Sequence, residues 1–561
     1  MDRRVALAIG LMLIVAVLPS ILFPPRRRAV PPPGVPARDS GQMLSPADSA
    51  GVGVAAPGFV APARPEAATE EVPTEASPEQ RVIVESPLYR LEFSVRGVRL
   101  VSADLKSYRS FAGREPGAAQ LIPEDSRFLE YALVFGSDTV SLADWLFQPS
   151  HWQVDVGAQG ARLEWVAQRG TATVQITQTF HSDGYLFDVE GTFAGAGAQA
   201  GLTLVRLGPR FRLLEADSVW DYRSYAVVTK QRTAARTSFS SLDPGEQAVL
   251  PGPFEWVALK SRYFLIAVLT VEAGGPRIGG VVATGGPRSG RHATEADVLL
   301  SLPAPGGRFG HSVYVGPQEF RRLSRVGHDL KDINPYGWVL RPIIQPIANI
   351  IAQVLLWMHT TLNLAYGWVL ILFGIAVRIV LWPLNQKAMR SSMAMQALQP
   401  EMKAIQERYK QEPQRAQQET MKLYRERGVN PVSGCLPVLL PMPVLFALFF
   451  VFRETIEFRG VPFLWLPDLS RADPLYIIPV VMGLSMFGVS KLGQLGIPPT
   501  PQTKMMVYFM PVMFTVLFLK FSSGLNLYYA VSNIASIPQQ WLIARERLRR
   551  VGGVAKPKAG S

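Results

Sequence analysis

Between residues 366 and 543 the chain carries five apolar runs: Tyr366–Leu384, Val432–Phe452, Tyr476–Leu492, Met505–Leu519 and Gly524–Ile543. A run of roughly 20 apolar residues matches the hydrocarbon thickness of a bilayer. Lipid offers no partner to a bare backbone amide, so runs of this kind must be helices. That constraint makes this part of the chain an α-helical membrane bundle. The first run holds a charge, Arg378. A mid-span charge costs roughly 2.5–3.5 kcal/mol on insertion scales, so Arg378 marks either a function or a snorkelling contact with the interface.

A sixth apolar run, Val5–Phe23, follows Asp2-Arg3-Arg4. It has the outline of a signal peptide, yet no small-residue cleavage site closes it and Pro24-Pro25-Arg26-Arg27-Arg28 follows. We read it as an uncleaved anchor, which brings the spans to six. Residues 24–80 are rich in Pro, Ala, Gly and Glu and carry too few large apolar side chains for a core. They read as a disordered, proline-stiffened tether.

From 81 to 319 the pattern changes to period two, as in Arg90–Val95, His151–Val156, Thr173–Phe180 and Tyr185–Val189. Alternation punctuated by Gly, Pro, Asp and Ser predicts antiparallel strands and a large β-sandwich. Its histidines, His151, His181, His292 and His311, have no metal-ligand spacing, so no metal is expected. Residues 320–361 join this domain to the bundle. Their apolar stretch Val339–Met358 is broken by Arg341, Pro342, Gln345, Pro346 and Gln353, which predicts a helix lying in the interface.

Residues 385–431 read as a helical hairpin. Met395, Leu398, Met402, Ile405 and Tyr409 repeat at 3, 4, 3, 4 and make one apolar stripe. Glu412-Pro413 opens a second helix, with Tyr424 on its apolar side, and Gly428 and Pro431 stop it. The hairpin carries more Lys and Arg than acid, and in the tail 544–561 Glu546 is the lone acid among six Lys and Arg. The positive-inside rule places both in the cytoplasm and the β-domain on the opposite side. The net charge of +13 suits contact with anionic lipid or RNA. The single cysteine, Cys435, rules out an intrachain disulfide. No nucleotide-binding fingerprint is present, and no cofactor is expected.

In the last run Asn526, Tyr529, Asn533, Ser536 and Gln540 recur at 3, 4, 3, 4. Polar residues in spans face the bundle or water rather than lipid. With Arg378 on another helix, this stripe predicts a wet recess open to the cytoplasm. A polar segment entering it would have a shorter apolar path to cross, without nucleotide hydrolysis.

Several motifs carry a resemblance: Val377-Arg378 before Pro383-Leu384, Met393–Pro400, Asn430–Pro437, Met442-Pro443, and Gly524–Asn533 with Gln539-Gln540. Over residues 336–550 the chain resembles the YidC-type membrane protein insertases, in their Gram-negative form. The resemblance implies five core spans (362–384, 432–452, 476–492, 504–520 and 524–543) around a hydrophilic groove, beside the anchor 5–23. It implies that Arg378 is the groove arginine and that Tyr528 and Tyr529 are the tyrosine pair on the last span. Client spans are then expected to slide past Met442, Leu445 and Met510, after capture by the hairpin. Implied partners are nascent inner-membrane proteins, the Sec translocon with its accessory subunits, and the ribosome through the basic tail. The outer domain resembles a β-supersandwich related to sugar mutarotases, with no enzyme activity implied. Two positions depart from the family pattern: Gly374 stands where Ser or Thr is common, and Pro441 where Gln is common. Two rivals are weighed. A polytopic transporter predicts internal repeats and intramembrane acids, and neither is found. A membrane-anchored periplasmic sugar-binding or sugar-modifying protein predicts activity in the isolated β-domain.

Overall fold

The computed structural model describes residues 80–113, 117–195, 201–271, 277–337, 340–428, 442–496 and 504–554. The expected anchor 5–23, the tether before residue 80, Cys435, Pro441 and the end of the basic tail lie outside these residues.

The alternating stretches form strands. Ala161–Arg169, Ala172–Phe180 and Leu186–Ala194 make an antiparallel meander. They belong to a nine-stranded sheet, accompanied by sheets of six and five strands. Arg308–Pro317 returns to the middle of the large sheet, between Leu186–Ala194 and Phe264–Leu269. One pairing is parallel, Arg81–Glu85 with Gln153–Asp155. Inward residues build an aromatic core in which Phe93 meets Phe187 edge-on, with ring centroids 6.1 Å apart. Three strands break the half-buried pattern: Ala226–Lys230, Trp256–Lys260 and Phe264–Leu269 are buried along their whole length. One reason is a second covering layer, the turn Leu330–Ile333 and its flank, where His328 accepts a hydrogen bond from the Trp256 indole at 2.9 Å.

The helical part comprises Arg341–Leu362, Tyr366–Ala397, Met442–Glu454, Ile477–Gly493, Met510–Phe518 and Ser523–Val554. A π-helical turn, Met505–Phe509, leads into the Met510 helix. Arg341–Leu362 and Tyr366–Lys387 are long and apolar enough to cross a membrane. The helix from Tyr366 runs through Pro383, beyond the membrane exit expected there, and stops at Ala397. The single helix expected from the Met395–Tyr409 stripe is therefore divided. A new helix, Gln399–Arg408, starts after Leu398 with Pro400 in its first turn, where the missing N–H does no harm. The last helix continues past Ile543, so the basic tail begins as helix. Close approach of Ile477–Gly493 and Met510–Phe518 rests on Gly483, where an added Cβ would sit 1.9 Å from Thr515 Oγ1.

The β-domain meets the bundle through buried charge. Lys260, fully buried in its strand, donates to Glu454 at 3.0 Å and to Asn334. Burial draws the Lys260 ammonium down to about 8 against the pull of Glu454. Arg262 donates to the Arg453 carbonyl at 3.0 Å, and Arg459 pairs with Glu215 at 2.7 Å. Ile456, from the loop after the Met442 helix, packs into the β-domain core. The loop 453–475 is thus a docking element as well as a connection.

Removing one partner of a buried pair costs roughly 3–5 kcal/mol where the other charge is left alone, and the cost is smaller here because Glu454 keeps Arg453 Nε at 3.1 Å. Lys260→Met is therefore expected to lower the thermal stability of the detergent-solubilised protein, and Lys260→Met with Glu454→Leu to recover most of that loss. A melting curve for each variant checks this. The same join sets a pH dependence. Burial lifts Glu457 from an ordinary 4.5 to about 7, and burial with the neighbouring Glu215 lifts Asp221 from 3.8 to about 7. Each native carboxyl holds its proton more tightly than the unfolded one, so its contribution is full below about 4 and is lost as pH rises through about 7. Glu457→Gln and Asp221→Asn should each flatten the fall in melting temperature across that window.

Candidate functional site

Arg378 lies in the helix from Tyr366, among apolar neighbours such as Phe373 and Val377. Its Nε donates to the Ser532 carbonyl at 2.9 Å and to the Ser532 Oγ at 2.8 Å. The charge is thus engaged by the last helix. Two more contacts close the same seam. Tyr528 packs on Phe373 with centroids 5.8 Å apart, and Gln539 Nε2 donates to the Trp382 carbonyl at 3.0 Å. Tyr528, Ser532 and Gln539 are spaced 4 and 7, which keeps them on one helical face.

That face is not the stripe read from the sequence. Asn526 is buried and donates to the Phe518 carbonyl at 3.0 Å, which fixes the turn between the last two helices. Asn533 donates to Ser485 at 3.2 Å, on the Ile477 helix. Ser536 is satisfied by its own helix, through the Asn533 carbonyl at 2.6 Å. Gln540 lies near Gly493, whose added Cβ would stand 3.3 Å from its Oε1. Tyr529 stacks edge-on against Phe518 at 5.7 Å and against Tyr528 at 5.4 Å. Arg378 is held by Ser532, whereas Asn526 and Asn533 bind toward the neighbouring helices. One residue is about 100° of turn on a helix, so a 3–4 pattern identifies a polar face without identifying its neighbour. Ser532 was missed because it falls just off the stripe. The signal available for Gln539 was the Gln539-Gln540 pair.

Polar atoms remain unmet along the last helix. The Tyr529 hydroxyl, Asn526 Oδ1 and Gln540 Oε1 are buried and find no protein partner among the described residues. Unpaired polar groups at membrane depth cost several kcal/mol unless hydrated, so they favour water there.

The other expected residues are spread more widely. Met442, Leu445 and Met510 are half-buried, and Met510 adjoins the exposed Phe509 and Val512. In the hairpin, Leu398 and Tyr424 are buried and Met402 and Tyr409 half-buried. The Tyr424 hydroxyl donates to Met402 Sδ at 3.1 Å, and Arg427 pairs with Glu401 at 3.0 Å. Met395 lies near the end of the helix from Tyr366. In the β-domain His311 is buried against the Tyr131 hydroxyl at 3.1 Å, and His181 pairs with Asp188 at 2.8 Å. No metal-binding cluster of three or more His, Cys, Asp or Glu occurs among the described residues.

These features define a class: a helical membrane bundle with an arginine held across an interhelical seam, joined to a β-rich domain. Residues 357–550 match the family model of the 60Kd inner membrane protein, and residues 81–358 that of the YidC periplasmic domain. A membrane protein insertase YidC of Aromatoleum aromaticum is 31% identical over 487 residues, covering 84% of this chain and 86% of its own. One of Chloroherpeton thalassium is 32% identical over 502 residues, covering 83% of each. A crystal structure of an active YidC insertase aligns with 83% of this chain and 93% of its own, at 19% identity and a TM-score of 0.33. The chain belongs to the YidC family of membrane protein insertases. It is a multi-pass inner-membrane protein with its β-rich domain in the periplasm.

Gly374, the departure from the family pattern, lies against this seam: an added Cβ would meet Val531 Cγ1 at 3.3 Å. Gly374→Val should push the two helices apart and loosen the Arg378–Ser532 contact, lowering the melting temperature in detergent. Ser532→Ala keeps the carbonyl acceptor, so it should lose no more than about 1 kcal/mol. Equal losses for the two variants would show that the glycine does not set the approach.

Proposed function

We propose that the chain inserts nascent inner-membrane proteins by admitting their polar segments into a hydrated recess along the seam between the Tyr366 and Ser523 helices, entered from the cytoplasm. The observation that carries this reading is Arg378, held by Ser532 at 2.8 Å beside the unpartnered buried hydroxyl of Tyr529. A fixed positive charge in a poorly screened site attracts an acidic segment far more strongly than it would in bulk water. Hydration lowers the cost of bringing that segment in. The apolar part of the client leaves past Met442, Leu445 and Met510 into lipid. The hairpin, built on Leu398, Met402, Tyr409 and Tyr424, captures the client first, and the basic tail contacts the ribosome. Work alone or beside the Sec translocon belongs to the same reading, as does contact of the basic cytoplasmic segments with anionic phospholipid. Because association and attraction supply the work, no cofactor is required.

The test compares an acidic client with its neutralised version, at matched protein levels. Arg378→Ala should reduce insertion of the acidic client by about tenfold, with a smaller loss for the neutral one. Arg378→Lys keeps the charge without the planar fork and should retain part of the activity. Equal defects for the two clients would reject the electrostatic role. Full activity of Arg378→Ala with both would reject the recess.

A further inference from the structure

A cavity of about 380 Å³ opens between the β-domain and the bundle. Arg262, Arg453, Arg471 and Lys520 line it, with Asp217 the one carboxylate among the lining residues. Asp217 is committed to capping a helix, where it accepts from the Trp220 amide at 3.1 Å. Four cations therefore face one carboxylate that is already engaged.

The cations differ in how they are held. Arg262 is buried and spends its Nε on the Arg453 carbonyl. Arg453 lies 5.0 Å over the Trp220 ring and 5.9 Å from that of Phe449, and its Nε pairs with Glu454, behind the cavity wall, at 3.1 Å. Arg471 and Lys520 are exposed, and neither makes an ion pair among the described residues. Ser470 and Ser522 add hydroxyls, while Phe449, Phe521 and Leu525 supply an apolar wall.

The level of the cavity narrows the ligand. Arg453 closes the Met442 helix, Arg471 precedes the Ile477 helix, and Lys520 joins the Met510 and Ser523 helices. Three helix boundaries of an inner-membrane bundle meet here beside the periplasmic domain, which is the height of the outer headgroups. Cations at this height with aromatic and aliphatic side chains behind them match a molecule with a phosphate at one end and hydrocarbon at the other. A free phosphate would use the cations and leave the apolar wall without a role.

We propose that this cavity is a binding site for the phosphodiester of an anionic phospholipid in the periplasmic leaflet, with its glycerol and upper acyl carbons against Phe449, Phe521 and Leu525. Arg453 and Arg262 form the inner wall, and Arg471 and Lys520 close over the headgroup. The bound lipid would bridge the β-domain to three helix ends.

The test uses the full chain, delipidated in detergent, with native mass spectrometry during titration with phosphatidylglycerol or phosphatidylcholine. One phosphatidylglycerol should be retained in preference to phosphatidylcholine. Arg471→Ser with Lys520→Ser should weaken that retention about tenfold. Arg471→Lys with Lys520→Arg should keep it. Both exchanges are at exposed side chains, and an unchanged melting temperature without lipid checks the fold. Equal retention of the two lipids, or the same behaviour in the serine and the conservative pairs, would overturn the site. Displacement of the lipid by inorganic phosphate at equal concentration would reassign the cavity to a free anion. Displacement by an acidic peptide at equal concentration would reassign it to a polypeptide. Either result overturns the lipid assignment.

Discussion

Charge taken out of water must be met by the protein, and this chain meets that demand in two contrasting ways. At the join of its two parts Lys260 and Glu454 are both buried, and Asn334 takes a further donor from the lysine. Such a pair gains little over a well-packed apolar contact, yet losing one member is severe. It therefore fixes one register between domain and bundle more than it adds stability. At Arg378 the arrangement is left open: one nitrogen is held by Ser532, and nearby polar atoms lack protein partners. The closed network holds parts together, and the open one leaves room for something else.

This contrast explains why a β-rich domain is more than an appendage here. Arg459 reaches Glu215 and lies 4.5 Å over the Phe111 ring, while Arg262 reaches back to the Arg453 and Ser470 carbonyls. The loop after the Met442 helix is shaped by these contacts. The ends of the membrane helices are thus positioned from outside the bilayer as well as from within it.

How much of this could be read beforehand follows from the range of each signal. Period-two alternation located strands such as Ala172–Phe180, since side chains on one strand carry their own burial pattern. It could not disclose that Trp256–Lys260 is covered on both faces, because the covering turn lies some 70 residues away in sequence. Arg378 stood out as a charge among apolar residues, but its partner Ser532 did not, being an ordinary small residue beside a conspicuous polar stripe. The break at Leu398 was signalled by Pro400 and overridden by the regular spacing from Met395 to Tyr409. Gly374 looked like a lost hydroxyl, and the close approach of Val531 gives it a packing reason. The pairing of Lys260 with Glu454 had no local signature at all, since the partners are 194 residues apart.

The neighbouring helices Ile477–Gly493 and Met510–Phe518, with the turn before the latter, have a further consequence. The first has 17 residues and is therefore only ~26 Å long at the usual helical rise. The second spans ~21 Å over its described residues Met505–Phe518. A typical hydrocarbon layer is about 30 Å thick, so lipids beside this pair must compress or tilt to match it, at fractions of a kcal/mol per Å. Hydrophobic mismatch then becomes a property that the protein imposes on its surroundings. A segment crossing at this edge meets a narrower slab of hydrocarbon than it would beside the 32-residue helices from Tyr366 and Ser523.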